Sequence, residues 1–260
     1  MKILISNDDG IKSPGLKAAI EAVYDVGEIV VISPSYQQTS MSRSIVCGDY
    51  DLSIEDIVLS NGKRVSAYHS NSSPAFLVSY ALSTLFPDGK PDLVISGINY
   101  GVNLGSNITI SATVGAAIQG ACEGIPSIAI SQETDSDQHF EYIEMDWSLA
   151  KEKLSFFSEL FIRGRFEDVY ILKIDVPQNS PLNTEHIITR QSKQQYFVPV
   201  YSKNNKEGEH KISLRINNDK NQIEKDSDIF VVKYERKVSV TPISIDLTSR
   251  INIGELFKGV

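Results

Sequence analysis

Two adjacent carboxylates, Asp8 and Asp9, come directly after a short apolar run at the start of the chain. Carboxylates at the tip of a buried strand repel each other and lose hydration unless a cation lies between them. Oxygen ligands favour Mg²⁺, Mn²⁺ or Ca²⁺ over zinc. The pair therefore predicts a divalent-cation site, but with Gly10 it equally fits a turn that caps the next helix. Both interpretations can hold, since one Asp could bind the metal while the other acts as a base.

A second candidate region, residues 96–107 (SGINYGVNLGSN), is rich in glycine and asparagine. Glycine lets the backbone approach a ligand closely, and asparagine offers both a donor and an acceptor. Ser111 and Thr113 then open a predicted helix, whose first N–H groups suit an anion. Together these features predict a phosphate loop beside the metal, although an ordinary loop and helix cap would explain them too. Neither G-x-x-x-x-G-K-[ST] nor G-x-G-x-x-G occurs in the sequence.

A third candidate region is the loop 37–44 (QQTSMSRS), which carries several hydroxyl groups and one cation, Arg43. Most loops of this composition bind nothing. This one follows the second predicted strand, so Thr39 or Ser40 is a candidate for a further metal or phosphate contact.

The elements that must position these residues follow from hydrophobic spacing. Apolar β-forming runs predict strands at 2–6, 28–34, 91–96, 125–131 and 169–176, and helical spacing predicts helices from 15, at 73–86, at 113–124 and at 140–162. This alternation predicts an α/β fold with a mainly parallel sheet. Ligands of such sheets bind at the carboxyl ends of the strands, where the strand order reverses. The three candidate regions are therefore expected to meet at one edge.

The pattern changes after about residue 177. Alternating stretches within 186–240, such as KISLRIN and FVVKYERKVSVTPI, predict antiparallel strands, and residues 45–68 predict a further hairpin over the sheet. Long hairpins seldom bury both faces on their own chain, which predicts packing against a neighbouring subunit. We therefore predict a core over residues 1–180 and a β-rich extension over 181–260 that returns to the core.

Composition excludes several classes of protein. The 33 acidic and 25 basic residues give a formal net charge of −8, which is unsuited to coating a nucleic-acid backbone. Cys47 and Cys122, both predicted to be buried, cannot build a disulfide framework or a four-ligand zinc site. No apolar run approaches the ~18 residues of a membrane helix, and no signal-peptide pattern is seen. We expect a soluble, cytoplasmic protein with no membrane or duplex nucleic-acid partner.

Several motifs carry a family likeness. ILISNDDGIKSPG, VVISPSYQQTSMSRS, PDLVISGINYGVNLG, SATVGAA and IPSIAIS occur in this order, followed by TRQS (189–192) and VSVTPISIDLT (238–248). In type and order they resemble the SurE family, the survival-protein-E nucleotidases, over nearly the whole chain.

The resemblance implies a phosphatase that hydrolyses nucleoside 5′-monophosphates and uses one divalent cation per subunit, Mg²⁺ or Mn²⁺. Relatives in the family also act on 3′-nucleotides and polyphosphate, which are further expected substrates. The implied fold is a Rossmann-like three-layer α/β/α core with a C-terminal β-hairpin extension. That extension is expected to be exchanged between the subunits of a homodimer or homotetramer.

The resemblance also assigns roles to residues of this chain. It places the metal at Asp8, Asp9, Thr39 and Asn99. Our own hypothesis of metal-assisted phosphomonoester hydrolysis then makes Asp8, Asp9 and Asn99 the catalytic residues. The residues expected to contact phosphate or substrate are Asn7, Ser40, Arg43, Gly97, Asn103, Ser111 and Thr113. Asp9, by its reach beyond the strand, is favoured as the base that takes a proton from water.

The chain departs from the family pattern at a few positions. Residues 72–77 (SSPAFL) stand where the family often has G-T-P-x-D-C, so Phe76 replaces a carboxylate. Ala112 replaces a glycine before the helix, and Arg236 replaces a glycine before VSVTP. None of these is a metal position, so they bear on substrate preference.

Two other functions compete with this assignment. A haloacid-dehalogenase-type phosphatase needs an aspartyl nucleophile in a D-x-D pattern, but Asn7 occupies the position of that nucleophile. A non-enzymatic Rossmann-like module would bind a metal or nucleotide for regulation without turning it over.

Overall fold

The computed structural model describes residues 1–45, 48, 50–134, 142–164, 166–203, 210–217 and 219–249. Its strands, in chain order, are β1 (Lys2–Ser6), β2 (Glu28–Pro34), β3 (Ser53–Val58), β4 (Arg64–Ser70), β5 (Leu93–Tyr100), β6 (Ser127–Gln132), β7 (Ile171–Val176), β8 (His186–Ile188), β9 (Phe197–Lys203), β10 (His210–Ile216) and β11 (Val238–Ile243). The longer helices are α1 (Pro14–Val23), α2 (Pro74–Thr84), α3 (Ala112–Cys122) and α4 (Ser148–Arg163). Shorter helical turns occupy Ser106–Thr109, Asp228–Phe230 and Val231–Glu235.

The main sheet has nine strands in the order β3-β4-β2-β1-β5-β6-β7-β11-β8. From β4 to β7 every neighbouring pair is parallel, whereas β3 and β11 join antiparallel at the two sides. The chain moves from β1 to β2 on one side and later returns to β5 on the other. The strand order therefore reverses between β1 and β5, and this places a crevice at their carboxyl ends.

Two apolar cores lie on opposite faces of the sheet. Ile3 and Ile5 of β1 pack with α1 and α4 on one face, while Leu4 packs with α2 and α3 on the other. This alternation follows from the two-residue period of a strand, and both faces are covered because all three residues are apolar. The fold is a three-layer α/β arrangement, as the sequence predicts.

Serine caps begin three of the helices at the side of the sheet where the strands end. Ser13, Ser73 and Ser111 have extended backbones, and each accepts a hydrogen bond from an N–H in the first turn of α1, α2 or α3. Proline follows Ser13 and Ser73, where its fixed φ suits the first helical position.

Some predicted elements differ in the structure. The hairpin expected over the sheet is β3 and β4, which instead extends the sheet at its edge. The helix expected over 140–162 begins at Ser148, whose N–H donates to the Asp146 carboxylate; residues 140 and 141 lie outside the described ranges. A helical segment over 228–235 replaces the first half of the strand predicted at 230–243, because Ser227 caps it and Ile229 and Val232 are fully buried.

Two further predictions concern cysteine and membranes. Cys122 is exposed at the end of α3 and not buried, and Cys47 lies outside the described residues. Among the helices described, none is both long enough and apolar enough to span a bilayer.

β5 and β6 approach each other closely at Gly97, so we expect a larger residue at this position to destabilise the protein. The φ of Gly97 is +135°, and a Cβ there would lie 2.2 Å from the carbonyl oxygen of Ile130. We expect Gly97→Ala to lower the free energy of unfolding by roughly 3 kcal/mol, measured by urea denaturation. The control is Gly62→Ala, with φ +80° and nothing within 4 Å of the added Cβ, which should cost only about 1 kcal/mol. Equal losses in the two variants would contradict this account.

Candidate active site

A cavity of ≈ 310 Å³ opens where β1, β2 and β5 end and α3 begins. The polar side chains around it include Asp8, Thr39, Ser40, Asn99, Asn103, Asn107, Ser111 and Gln195. The apolar part of the lining includes Val102, Ile110, Phe197, Pro199 and Leu214. The three regions that the sequence singles out therefore meet at one edge of the sheet, as the parallel topology requires.

Asp8 is the carboxylate that lines this cavity, although only 4% of the residue is exposed. Its Oδ1 atom accepts a hydrogen bond from the Thr113 hydroxyl at 2.7 Å, and its backbone oxygen accepts one from Gln38 N at 2.6 Å. Burial raises the pKa of Asp8 to about 6, against the lowering effect of the Thr113 hydrogen bond. A carboxyl group with this pKa can exchange a proton near neutral pH.

Asp9 is more deeply buried, at 1% exposure, and does not line the cavity. Its Oδ2 atom accepts from Tyr100 N at 3.0 Å, and its Oδ1 atom accepts from Gln37 Nε2 at 3.2 Å. Burial, followed by the charge of Asp8, raises the pKa of Asp9 well above its usual range. The sequence favours Asp9 as the base because it extends beyond the strand. In the structure both carboxylate oxygens of Asp9 instead accept hydrogen bonds within the protein.

Asn99 lies at the end of β5, where the pairing register with β6 shifts between Ser96 and Asn99. Its Nδ2 atom donates to the carbonyl of Gly101 at 2.7 Å, which leaves the Oδ1 atom as the side chain's acceptor. Thr39 and Ser40 are exposed on the loop after β2 and line the same cavity. Ser42 holds that loop in place through its hydroxyl, which donates to the Thr109 carbonyl at 2.8 Å.

The donor set of this site fits a hard divalent cation. Two buried carboxylates lie side by side, and neither forms an ion pair with any described residue. No Lys, Arg or His is among the described residues that line the cavity. Clusters of three His, Cys, Asp or Glu are absent from the described part of the chain, so a cation here would be completed by the neutral oxygens of Asn99 and Thr39.

Some of the predicted phosphate contacts lie at the cavity and others support it. Ser111 and Asn103 line it, with Ser111 capping α3 through Val114 N and the Asn103 amide donating to Ser131 at 2.7 Å. Thr113 is fully buried, and its hydroxyl donates a hydrogen bond to the Asp8 carboxylate.

Three more of the predicted contacts, like Thr113, lie outside the cavity lining. Asn7 is fully buried, donating to the Gly10 carbonyl and accepting from the Ser33 hydroxyl, so it shapes the turn that carries the two carboxylates. Arg43 is exposed, and its Nε atom donates to Gln119 of α3 at 2.8 Å. Gly97 lies against the backbone of Ile130.

The positions that depart from the family pattern lie mostly elsewhere. Phe76 packs against Tyr50 and Tyr80, with ring centroids 4.1 Å and 6.5 Å away. Arg236 donates to the Glu133 carboxylate at 2.6 Å and to the Gln178 carbonyl at 2.8 Å. Ala112 alone lines the cavity.

Sequence reasoning missed the apolar part of the site. Phe197, Pro199 and Leu214 come from β9 and β10, which together with Gln195 are distant in sequence from the rest of the lining. Their alternation identifies strands, but no local signal shows which surface those strands cover. It also missed Gln37 and Tyr100 as hydrogen-bond donors to Asp9.

Comparison with known proteins identifies the family of the chain. The family model described as "Survival protein SurE" matches residues 3–198. A protein named 5′-nucleotidase SurE from Thermococcus kodakarensis is 36% identical over 99% of this chain and 98% of its own length. One of the same name from Methanothrix thermoacetophila is 34% identical over 98% of this chain and 97% of its own. The crystal structure of SurE protein from Aquifex aeolicus has a TM-score of 0.75 and 26% identity, covering 100% of this chain and 98% of that one. The chain therefore belongs to the SurE family.

Proposed function

We propose that this protein is a divalent-metal-dependent 5′-nucleotidase that hydrolyses nucleoside 5′-monophosphates to nucleoside and phosphate. The observation that carries this function is the buried Asp8–Asp9 pair, of which Asp8 lines a cavity that also has an apolar part. The relatives named 5′-nucleotidase SurE, matched over nearly their whole length, support the same activity.

The residues proposed to hold the cation, Mg²⁺ or Mn²⁺, are Asp8, Asp9, Thr39 and Asn99. When bound, such a cation supplies positive charge to phosphate oxygens and lowers the pKa of water. The phosphate contacts and the proton acceptor are proposed to be residues of the chain itself.

The phosphate group is proposed to lie at the beginning of α3, an 11-residue helix whose first N–H groups and dipole favour an anion. Ser40, Asn103 and Ser111 are the side chains that can donate hydrogen bonds to its oxygens. Asp8 is proposed as the group that takes a proton from the attacking water, because it faces the cavity while both oxygens of Asp9 accept hydrogen bonds within the protein. Thr113 orients Asp8 by occupying Oδ1.

The apolar lining suits a nucleobase. Val102, Ile110 and Phe197 present uncharged side chains, and Pro199 and Leu214 are cross-strand partners that add to the same surface. A polyphosphate chain would need cations along its length, and the described lining offers none. These features favour a nucleoside monophosphate over polyphosphate.

The two competing functions make different predictions. An aspartyl nucleophile in the haloacid-dehalogenase manner is disfavoured by Asn7, which is fully buried and hydrogen-bonded to Ser33 and Gly10. A regulatory binding module would bind nucleotide without turnover, and the activity assays below separate it from an enzyme.

The assembly and location of the protein stay predictions. The β9–β10 hairpin forms a sheet of its own, and Val200 and Tyr201, which lie on it outside the cavity lining, are 38% and 71% exposed. These exposed apolar side chains support packing of the hairpin on a neighbouring subunit in a homodimer or homotetramer. The boundary at residue 180 and the cytoplasmic location likewise stay predictions.

The Asp8→Asn variant tests the central role of the carboxylate pair. We expect kcat/KM for AMP with Mn²⁺ to fall at least ~1,000-fold, because both a cation ligand and the proton acceptor are lost. Thermal unfolding should show an intact fold, since the change relieves repulsion between buried charges. The exposed Asp25→Asn variant is the control and should retain activity. Near-normal turnover in Asp8→Asn would overturn the mechanism, and nucleotide binding without turnover in the wild type would favour the regulatory module.

Cation binding should depend on pH in a defined direction. The folded-state pKa of Asp8 is about 6, above the ordinary value of 3.8, so the metal-free protein loses stability as the pH rises through this window. A divalent cation binds the ionised pair and should restore that loss. We therefore expect Mn²⁺ to raise the melting temperature, relative to EDTA, more at pH 8 than at pH 5. An equal gain at both pH values, or the same pattern in Asp8→Asn, would contradict this expectation.

The apolar lining can be tested by comparing substrates with and without a base. We expect wild-type kcat/KM to be higher for AMP than for ribose 5-phosphate, and polyphosphate to be the poorest substrate. Leu214→Ser should lower kcat/KM for AMP about fivefold by removing apolar contact, and leave ribose 5-phosphate unchanged. Tyr201→Ser, on the same hairpin but outside the cavity lining, is the matched control. Equal losses for both substrates would argue against a base site at Leu214.

A further inference from the structure

A cluster of three buried charged side chains lies outside the catalytic residues. Lys173 and Asp175 of β7 and Asp228 of the C-terminal helical segment are each at most 1% exposed. The Lys173 ammonium contacts the Asp175 carboxylate and lies 3.1 Å from Asp228 Oδ2. Burial alone would lower the pKa of Lys173, but the two carboxylates raise it above its ordinary value, so the lysine stays charged.

The positive charge of Lys173 does not balance the negative charges of Asp175 and Asp228. Backbone N–H groups stabilise the two carboxylates further by donating hydrogen bonds to them. Asp175 Oδ1 accepts from Asn103 N at 2.7 Å, and Asp228 Oδ2 accepts from Gly105 N at 3.0 Å. Hydrogen bonds to buried carboxylates are among the stronger ones in proteins. Both donors belong to the loop that follows β5 and lines the cavity.

The other side of the cavity is tied to the same carboxylate. Asp228 Oδ1 accepts from Ser192 N at 2.9 Å, at the start of the segment that leads to Gln195 and Phe197. That segment and the loop also bond directly, through Ser106 N to the Gln194 carbonyl at 2.9 Å. Gln195 and Phe197 line the cavity. Asp228 therefore binds two parts of the chain that line the cavity, although it does not line the cavity itself.

Resting on the nucleotidase function proposed above, we infer that the Lys173–Asp175–Asp228 cluster is a positioning device that sets the separation of the 101–107 loop and the 192–197 segment, and thereby substrate affinity. Its three side chains touch no substrate. They act through the amides of Asn103, Gly105 and Ser192, whose places in the backbone are not fixed by a helix or by the main sheet.

The test is Asp228→Asn, which keeps the shape of the side chain but removes its charge and one of its two acceptor oxygens. We expect KM for AMP to rise about tenfold with kcat within about threefold of wild type. Hydrogen exchange should quicken in peptides covering 101–107 and 190–197 and stay unchanged in those covering β1 and β2. Asp175→Asn should reproduce the effect on the 101–107 loop and leave 190–197 protected, because the one backbone amide that Asp175 accepts from is that of Asn103, while Asp228 still binds Ser192 N.

Asp226→Asn is the matched control. Asp226 lies two residues before Asp228, pairs with Arg190 at 2.9 Å and has a side chain that is 71% exposed. The Asp226→Asn variant therefore removes the same charge at a position outside the cavity lining. Its KM and exchange pattern should equal those of the wild type.

Three results would overturn the inference. The first is a folded Asp228→Asn protein with wild-type KM and wild-type exchange at 101–107. The second is faster exchange throughout the chain with a matching fall in melting temperature and unchanged KM, which indicates a stabilising role only. The third needs no variant, and is rapid exchange of the Asn103, Gly105 and Ser192 amides in the wild type. If the wild type hydrolyses no nucleotide, the proposed function fails, and the exchange data still decide whether the cluster orders the cavity.

Discussion

The burial of two like charges at the end of β1 is the constraint on which the site depends. Asp8 and Asp9 are at most 4% exposed, and burial raises the pKa of each. A pair of this kind is tolerated because the surroundings supply hydrogen bonds, from Thr113 to one carboxylate and from Tyr100 and Gln37 to the other. Neither carboxylate forms an ion pair with a described residue, and this makes the pair suited to a divalent cation.

The parallel sheet explains why these donors come from separate parts of the chain. Asp8 follows β1, Gln37 follows β2, Tyr100 ends β5 and Thr113 lies in the first turn of α3. Parallel neighbours end on the same side, and the reversal of strand order between β1 and β5 leaves the crevice open. The polar end of the cavity is therefore a consequence of topology, and its rigidity comes from strands packed on both faces.

The apolar end has a different origin. Its side chains come from the paired strands β9 and β10 and from the loop after β5, and an isolated bridge between Gly105 and Gln195 joins that loop to the segment leading into β9. The buried Lys173, Asp175 and Asp228 occupy the junction between these pieces, where the N–H groups of Asn103, Gly105 and Ser192 converge. Buried carboxylates that accept hydrogen bonds from loop amides can order a loop, because they give those amides the fixed acceptors that a helix or sheet would otherwise provide.

The sequence by itself determined the parallel core and most of the polar site, because both depend on local signals. Two-residue and helical periods identified the strands and helices, and the residues that follow β1 and β2 and end β5 predicted the meeting of Asp8, Thr39 and Asn99. Only the tertiary structure decided that Asp8 faces the cavity while Asp9 is held by Tyr100 and Gln37. It likewise decided that Leu214 lines the cavity and that Asp228 pairs with Lys173, because contacts between distant segments depend on how the whole chain packs.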